Sequence, residues 1–302
     1  MTPQAPAPVV PSVPASRYRR GALAAVVVTV FAWASAFVAI RAVGLSYGAG
    51  SLALGRLLVG CLALGAGLLV TRRWVTPTAR EWALIALCGV AWFGVYNVAL
   101  NAAEQQVDAG TAAMVVNVGP ILIALFAGWL LGEGFPRWLV VGALIAFSGA
   151  VLVGASTAQL DRSDLLGVLL CLVAAVTYAV GVLAQKSVLR RLPALQVTWL
   201  ACTIGAVVCL PFTPALLTDV TAAPAGATAG LVYLGLVPTA LAFSTWGYAL
   251  ARMDAGRLGV TTYVVPPITI VMSAVLLGEL PAALALTGGA ICLVGVALSR
   301  RR

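Results

Sequence analysis

Long apolar runs, each broken by a few polar or small residues, follow one another from Gly21 to Leu298. A membrane-crossing helix needs about 20 consecutive apolar residues. That length predicts helices at about 21–43, 48–70, 82–102, 110–131, 138–155, 165–185, 195–213, 227–250, 257–279 and 282–299. The stretch 156–164 (STAQLDRSD) reads as a linker between halves, and 214–226 (PALLTDVTAAPAG) as the longest other loop. Residues 1–16 hold five prolines and no charge, so the first 20 residues are expected to form an unstructured tail rather than a signal peptide.

Composition supports the same picture. Of the 302 residues 62% are hydrophobic and 9% charged, against about 25% charged in soluble domains. Ten helices and their turns use nearly the whole chain, which leaves no soluble catalytic domain.

The charge pattern orients the helices. With the N-terminus inside, fifteen of the 18 basic residues fall in inside segments, among them Arg72, Arg73, Arg80, Arg137, Lys186, Arg190, Arg191 and Arg300 to Arg302. The outside loops hold only Arg162, while Arg41 and Arg56 lie near or within helices. Lys and Arg bias of this kind sets membrane topology, and the net charge of +9 therefore does not point to nucleic acid. The six cysteines all sit in apolar runs without a CxxC pair, and read as packing residues.

The chain repeats itself. Asp108-Ala109-Gly110 recurs as Asp254-Ala255-Gly256, Pro120 as Pro266, and Leu130-Leu131-Gly132-Glu133 as Leu276-Leu277-Gly278-Glu279, all 146 residues apart. Trp33-Ala34 aligns with Tyr178-Ala179, and Arg41 with Lys186, at 145. Five helices per copy is an odd number, so the second copy enters the membrane inverted. The expected fold is an all-α integral membrane protein of ten transmembrane helices in two inverted five-helix repeats, residues 21–155 and 165–302, with both termini cytoplasmic. Inverted repeats give two nearly equivalent conformations around a central site, a recurrent carrier design.

Candidate chemistry lies in polar and helix-breaking positions within the runs. Pro120 follows Asn117 and Gly119, and Pro266 follows Tyr263; such breaks are tolerated where backbone faces protein or a cavity. Arg56 is a charge within an apolar helix, a functional candidate by default. It is expected to snorkel or to pair with a carboxylate, Glu104 being nearest in depth. Asn97, Asn101 and Glu104, spaced by four and three, place a polar stripe on one helix face. Trp33, Ser35, Tyr178, Ser244 and Trp246 add rings and hydroxyls that suit a small amphipathic solute. Glu104, Glu133 and Glu279 are candidates for coupling or gating. With no histidine and no Gly-Lys-Ser/Thr loop, the sequence carries neither the commonest proton shuttle nor an ATP-binding P-loop. No metal site, cofactor or catalytic cluster is expected, and the chain does not read as an enzyme.

These residues resemble a known group. FAWASAFVAIR, Arg56, NVGPILIALFAGWLLGEGFPRWLVVGALIAFSGAVL, YLGLVPTALAFSTWGYALARMDAGRLG and VVPPITIVMSAVLLGELPAALALTGGAICLVGVAL are similar to the drug/metabolite transporter superfamily, EamA-type. The resemblance implies ATP-independent export of amino acids, related metabolites or drugs. It also implies a cavity built by helices 1, 3, 4, 6, 8 and 9, with 5 and 10 at the periphery. The expected partners are a small-molecule substrate and the lipid bilayer, with a second copy of the chain as a candidate homodimer partner. The lysine-poor, Ala/Val/Gly-rich composition points to a bacterial cytoplasmic membrane. A lipid or drug flippase, or a non-transporting membrane protein, is the alternative.

Overall fold

The computed structural model describes residues 15–132, 134, 137–157, 162–279 and 283–299. Every regular element in them is helical. In chain order these are α1 (Ala15–Val43), α2 (Ala49–Thr71), α3 (Ala79–Ala103), α4 (Ala109–Leu130) and α5 (Arg137–Thr157). The second half supplies α6 (Arg162–Val188), α7 (Ala194–Val208, continued by Leu210–Ala222), α8 (Ala225–Leu250), α9 (Ala255–Leu276) and α10 (Ala283–Ser299). By length and composition α1, α2, α3, α4, α6, α8 and α9 can each cross a membrane. α7 qualifies as a pair bent by 53°, and α5 and α10 carry shorter apolar runs. Large apolar side chains, including Phe31, Leu62, Trp129, Leu144 and Val275, stand exposed on the outer surface of the bundle. A protein in water buries such a surface; lipid solvates it.

Two expectations are corrected. The segment 214–226 is not a loop for most of its length. Pro211 opens a 3₁₀ turn at Leu210–Phe212, and Pro214 sits in the first turn of a helix, Thr213–Ala222. Proline has φ preset for that position and lacks only a donor that a helix start leaves unpaired anyway. At the other end, α1 begins at Ala15, inside the expected tail; residues 1–14 lie outside the described residues.

The repeat is written into the backbone. Both α3 and α8 widen into a π-helical turn, at Gly89–Val95 and Gly235–Leu241, again 146 residues apart. In α8 the wide turn holds Pro238, which cannot donate to the ladder. The loosened carbonyls are taken up locally. Asn97 Nδ2 donates to Phe93 O at 2.8 Å and Trp92 O at 3.3 Å, and Thr239 Oγ1 donates to Leu234 O at 2.8 Å. Gly132 and Gly278, which follow α4 and α9, adopt φ of +71° and +69°, a left-handed conformation that glycine enters without steric cost.

Helices of one repeat pack mainly on helices of the other: α1 on α8 and α9, α2 on α7 and α8, α3 on α6 and α7, α4 on α6 and α9. α5 and α10 pack chiefly on each other. Close crossings use glycine. A Cβ on Gly181 of α6 would lie 2.4 Å from Trp92 Cβ of α3, so only a hydrogen fits there.

Candidate functional site

The helix pairs enclose a cavity of about 540 Å³, its open mouth included, between the two repeats. α1 contributes Trp33, Ala36, Phe37 and Ile40, and α3 contributes Trp92, Tyr96 and Leu100, one per turn. Arg56 of α2, Val116 and Asn117 of α4, Tyr178 of α6, Phe243 of α8, and Thr262 and Val265 of α9 complete the wall.

Aromatic rings dominate it. Trp33 lies 5.5 Å from Phe243 and 4.9 Å from Trp246, and Trp92 lies 4.8 Å from Phe243 and 5.1 Å from Tyr178, between ring centroids. Such rings interlock at a fixed geometry. The helix breaks reach the wall as well. α4 breaks at Asn117–Val118 and α9 at a 3₁₀ turn, Thr262–Val264, symmetry-related positions. Pro120 and Pro266 sit just beyond them, in the first turn of the helices that resume. The prolines are therefore not part of the wall themselves; each sets the break that presents the residues before it.

Arg56 is 3% exposed and is the charged residue of the wall. Its Nε donates to Thr239 Oγ1 at 3.1 Å. The expected outlets are corrected: Arg56 does not snorkel to a surface and has no ion pair with Glu104 among the described residues. The π turn of α8 puts the Thr239 hydroxyl beside it instead, and the guanidinium faces the cavity. No hydrogen bond or ion pair among the described residues occupies its terminal nitrogens.

The polar stripe of α3 is buried but turned away from the cavity. Asn97 bonds the π turn as above, and Asn101 Nδ2 donates to Ala49 O at 3.0 Å at the start of α2. The rings of α3 hold the cavity face. Ser35 is bonded to Tyr233 Oη at 2.6 Å between α1 and α8, on the lipid side. Ser244 bonds back to Ala240 O at 2.7 Å. Tyr263 packs with Ile121 and Val260, outside the wall. Trp246 is buried against Trp33, its Nε1 without a hydrogen-bond partner among the described residues. Of the expected site residues, Trp33, Arg56, Asn117 and Tyr178 meet in the cavity. Phe37, Trp92, Tyr96 and Phe243 line the wall as well, although they are not among the residues expected from the sequence. The spacing of Trp92, Tyr96 and Leu100 was the available signal.

At the far end of α1, Arg41 Nε pairs with Glu279 Oε1 at 2.9 Å, and its Nη1 donates to the backbone carbonyl of Glu104 at 2.7 Å. Glu104 is 1% exposed, and neither carboxyl oxygen has a hydrogen-bond partner among the described residues. Glu133 lies outside the described residues. At the opposite end, Arg191, in the turn between α6 and α7, pairs with Glu81 of α3 and bonds Thr76 O at 2.8 Å. That carboxylate raises the Arg191 pKa above its ordinary value.

Comparison with known proteins decides the affiliation. The model of the EamA-like transporter family matches residues 19–155 and again 165–301. The chain belongs to the EamA-like transporter family. Among its relatives, a "Probable terminal-alkyne amino-acid exporter" of Streptantibioticus cattleyicolor is 42% identical, over 92% of this chain and 93% of that one. An uncharacterized transporter of Bacillus subtilis is 31% identical, over 87% and 86%. A "Probable amino-acid metabolite efflux pump" of Salmonella typhimurium is 26% identical, over 68% and 71%. A crystal structure with 20% identity shares the fold, with a TM-score of 0.64 over 94% of this chain and 97% of the other. This EamA-like protein is thus a membrane transporter, and the two matched segments coincide with the two halves that pack across the cavity.

Proposed function

We propose that this EamA-like protein is a secondary carrier that exports small amphipathic solutes bearing a carboxylate, amino acids and their derivatives first among them, by alternating access of the central cavity. In this reading ten helices cross the bacterial cytoplasmic membrane with both termini inside, so the Arg41–Glu279 pair marks the outer end. The names of the Streptantibioticus and Salmonella relatives point the same way.

One observation carries the substrate class: a single buried guanidinium with uncommitted terminal nitrogens, set in an aromatic wall. A planar guanidinium binds a carboxylate through two parallel hydrogen bonds. The faces of Trp33, Trp92 and Tyr178 suit an ammonium group by cation–π attraction and an apolar side chain by contact. Among the described residues no acidic side chain lines the cavity to meet a bare cation. The paired breaks in α4 and α9 give each repeat a joint at an equivalent position beside the cavity, as suits a carrier with two symmetry-related states.

The test is counterflow in proteoliposomes with a panel of labelled amino acids. Saturable exchange of a subset, competed by free amino acids but not by the corresponding amines, supports the reading, as does its loss in Arg56→Gln protein that remains monodisperse. Equal competition by amines, or no saturable exchange at all, overturns it.

A further inference from the structure

The carboxyl group of Glu104 has no role in the solute site, yet it is buried where a carboxylate is costly. Both oxygens lack a hydrogen-bond partner among the described residues, and an ionised carboxylate in that state is a buried charge left uncompensated. It also stands at the C-terminal end of α3, where the helix dipole disfavours negative charge. Burial and the helix end both favour the neutral form of Glu104.

The repeat shows that the fold does not need an acid here. The equivalent position, 146 residues on, is Leu250. There Lys186 Nζ donates to the Leu250 carbonyl at 2.8 Å, as Arg41 donates to the Glu104 carbonyl at 2.7 Å. The backbone alone makes this bond, so the side chain of Glu104 is an addition peculiar to one end. It also lies one turn beyond Leu100, the last cavity residue of α3.

We infer that Glu104 is a proton-binding switch for the Arg41 end of the cavity, exchanging its proton for the guanidinium of Arg41. This rests on the carrier reading above. With that end closed, Arg41 pairs with Glu279 and Glu104 is neutral. When α9 moves away, the Glu279 carboxylate passes to water. The O–H bond of Glu104 then breaks, one proton leaves to solution, and Glu104 takes Arg41 as its ion-pair partner. Net charge changes by the one released proton, and no oxidant or reductant takes part. The charged groups that act on Glu104 are Arg41 of α1, Arg56 of α2, Asp108 at the start of α4, and Glu279 after α9. Tyr96 of α3 and Cys171 of α6 also lie close. Of these, Arg41 is the cation already hydrogen-bonded to this residue.

The experiment follows accessibility rather than flux. Val116, in the cavity wall, is replaced by cysteine, and an impermeant thiol reagent is added from the outside across a pH series. Thiol reactivity itself rises with pH, so the readout is the labelling rate divided by that of the same protein carrying Glu104→Gln, with the parent lacking Val116→Cys as blank. The ratio is expected to rise from about one at low pH by roughly tenfold per unit over the titrating limb, as one proton requires, and Glu104→Asp is expected to keep that rise. Glu279→Gln, which removes the present partner of Arg41, is expected to raise labelling already at low pH. A ratio independent of pH, or Glu279→Gln labelling no faster than the parent, overturns the switch. Counterflow on the same preparations separates the two failures: absent counterflow sinks the carrier reading, whereas a flat ratio in a protein that exchanges solute sinks only the role of Glu104.

Discussion

Arg41 and Lys186 occupy equivalent positions in the two repeats and make equivalent bonds at opposite ends of the bundle. Arg41 Nη1 donates to Glu104 O at 2.7 Å, and Lys186 Nζ donates to Leu250 O at 2.8 Å and Met253 O at 2.6 Å. Each ties the end of the first helix of a repeat to the end of the third. In the topology proposed here one tie closes the outer end and the other the inner end.

Opposite effects of the two charge removals are therefore expected. Arg41→Gln weakens the outer tie and Lys186→Gln the inner one, each losing charge-assisted hydrogen bonds of about 1.5–3 kcal/mol. With cysteine at Val116, labelling by an impermeant reagent rises from the outside in the first variant and from the inside in the second. Labelling that changes in the same direction in both shows that the ties do not oppose one another.

Asn97 is expected to matter for stability rather than for solute affinity. Its amide serves the carbonyls of Trp92 and Phe93, which the π turn of α3 loosens. Asn97→Leu leaves buried carbonyls short of a donor, at a cost of about 1–3 kcal/mol. Thermal unfolding in detergent should fall by several degrees while the KM for counterflow stays within about twofold. A large KM change at unchanged stability refutes this assignment.

Gly181→Ala probes the crossing of α6 and α3. The new methyl would stand 2.4 Å from Trp92 Cβ, and overpacking of this kind costs roughly 1–3 kcal/mol. Because Trp92 is a wall residue, the change should appear both in the melting curve and in tryptophan fluorescence. A variant as stable as the parent, with an unchanged spectrum, shows that the helices separate freely at this point.

What the sequence made legible was set by periodicity and by the repeat. Apolar run length located the helices, and the offset of 146 located Pro120 and Pro266 beside symmetry-related breaks. Four features escape for physical reasons. A π turn leaves no mark in hydropathy, because it changes the hydrogen-bond partner and not the polarity of the residues. The bent second half of α7 escapes because Pro214, with the polar residues after it, marks the start of the expected loop 214–226, although it stands in the first turn of a helix. The stripe of Asn97, Asn101 and Glu104 shares one face, but amides in a membrane helix serve nearby backbone as readily as a cavity, and the rings at Trp92 and Tyr96 took the cavity side. Arg41 was aligned with Lys186 by the repeat, yet its reach to Glu104 depends on side-chain geometry that spacing does not encode.

Thr239 offers the sharpest test of how Arg56 works. Its hydroxyl is the hydrogen-bond partner of Arg56 Nε among the described residues, at 3.1 Å, and it also closes the π turn through Leu234 O. Thr239→Val keeps the branched shape and removes both bonds. Thr239→Ser keeps the hydroxyl and loses one methyl. If Arg56 binds the solute carboxylate, its orientation decides affinity, and a guanidinium that has lost its anchor should bind about tenfold more weakly, the equivalent of ~1.4 kcal/mol. The expected pattern is a KM raised about tenfold in Thr239→Val and nearly restored in Thr239→Ser. Arg56→Lys, which keeps the charge without the planar fork, should resemble the valine variant, because an ammonium cannot offer two parallel donors in fixed geometry. The ratio of amino acid to amine affinity should fall with each variant that disturbs the fork. Were Arg56→Lys to bind amino acids as tightly as the parent, charge alone would account for recognition and the bidentate geometry argued from this cavity would be wrong.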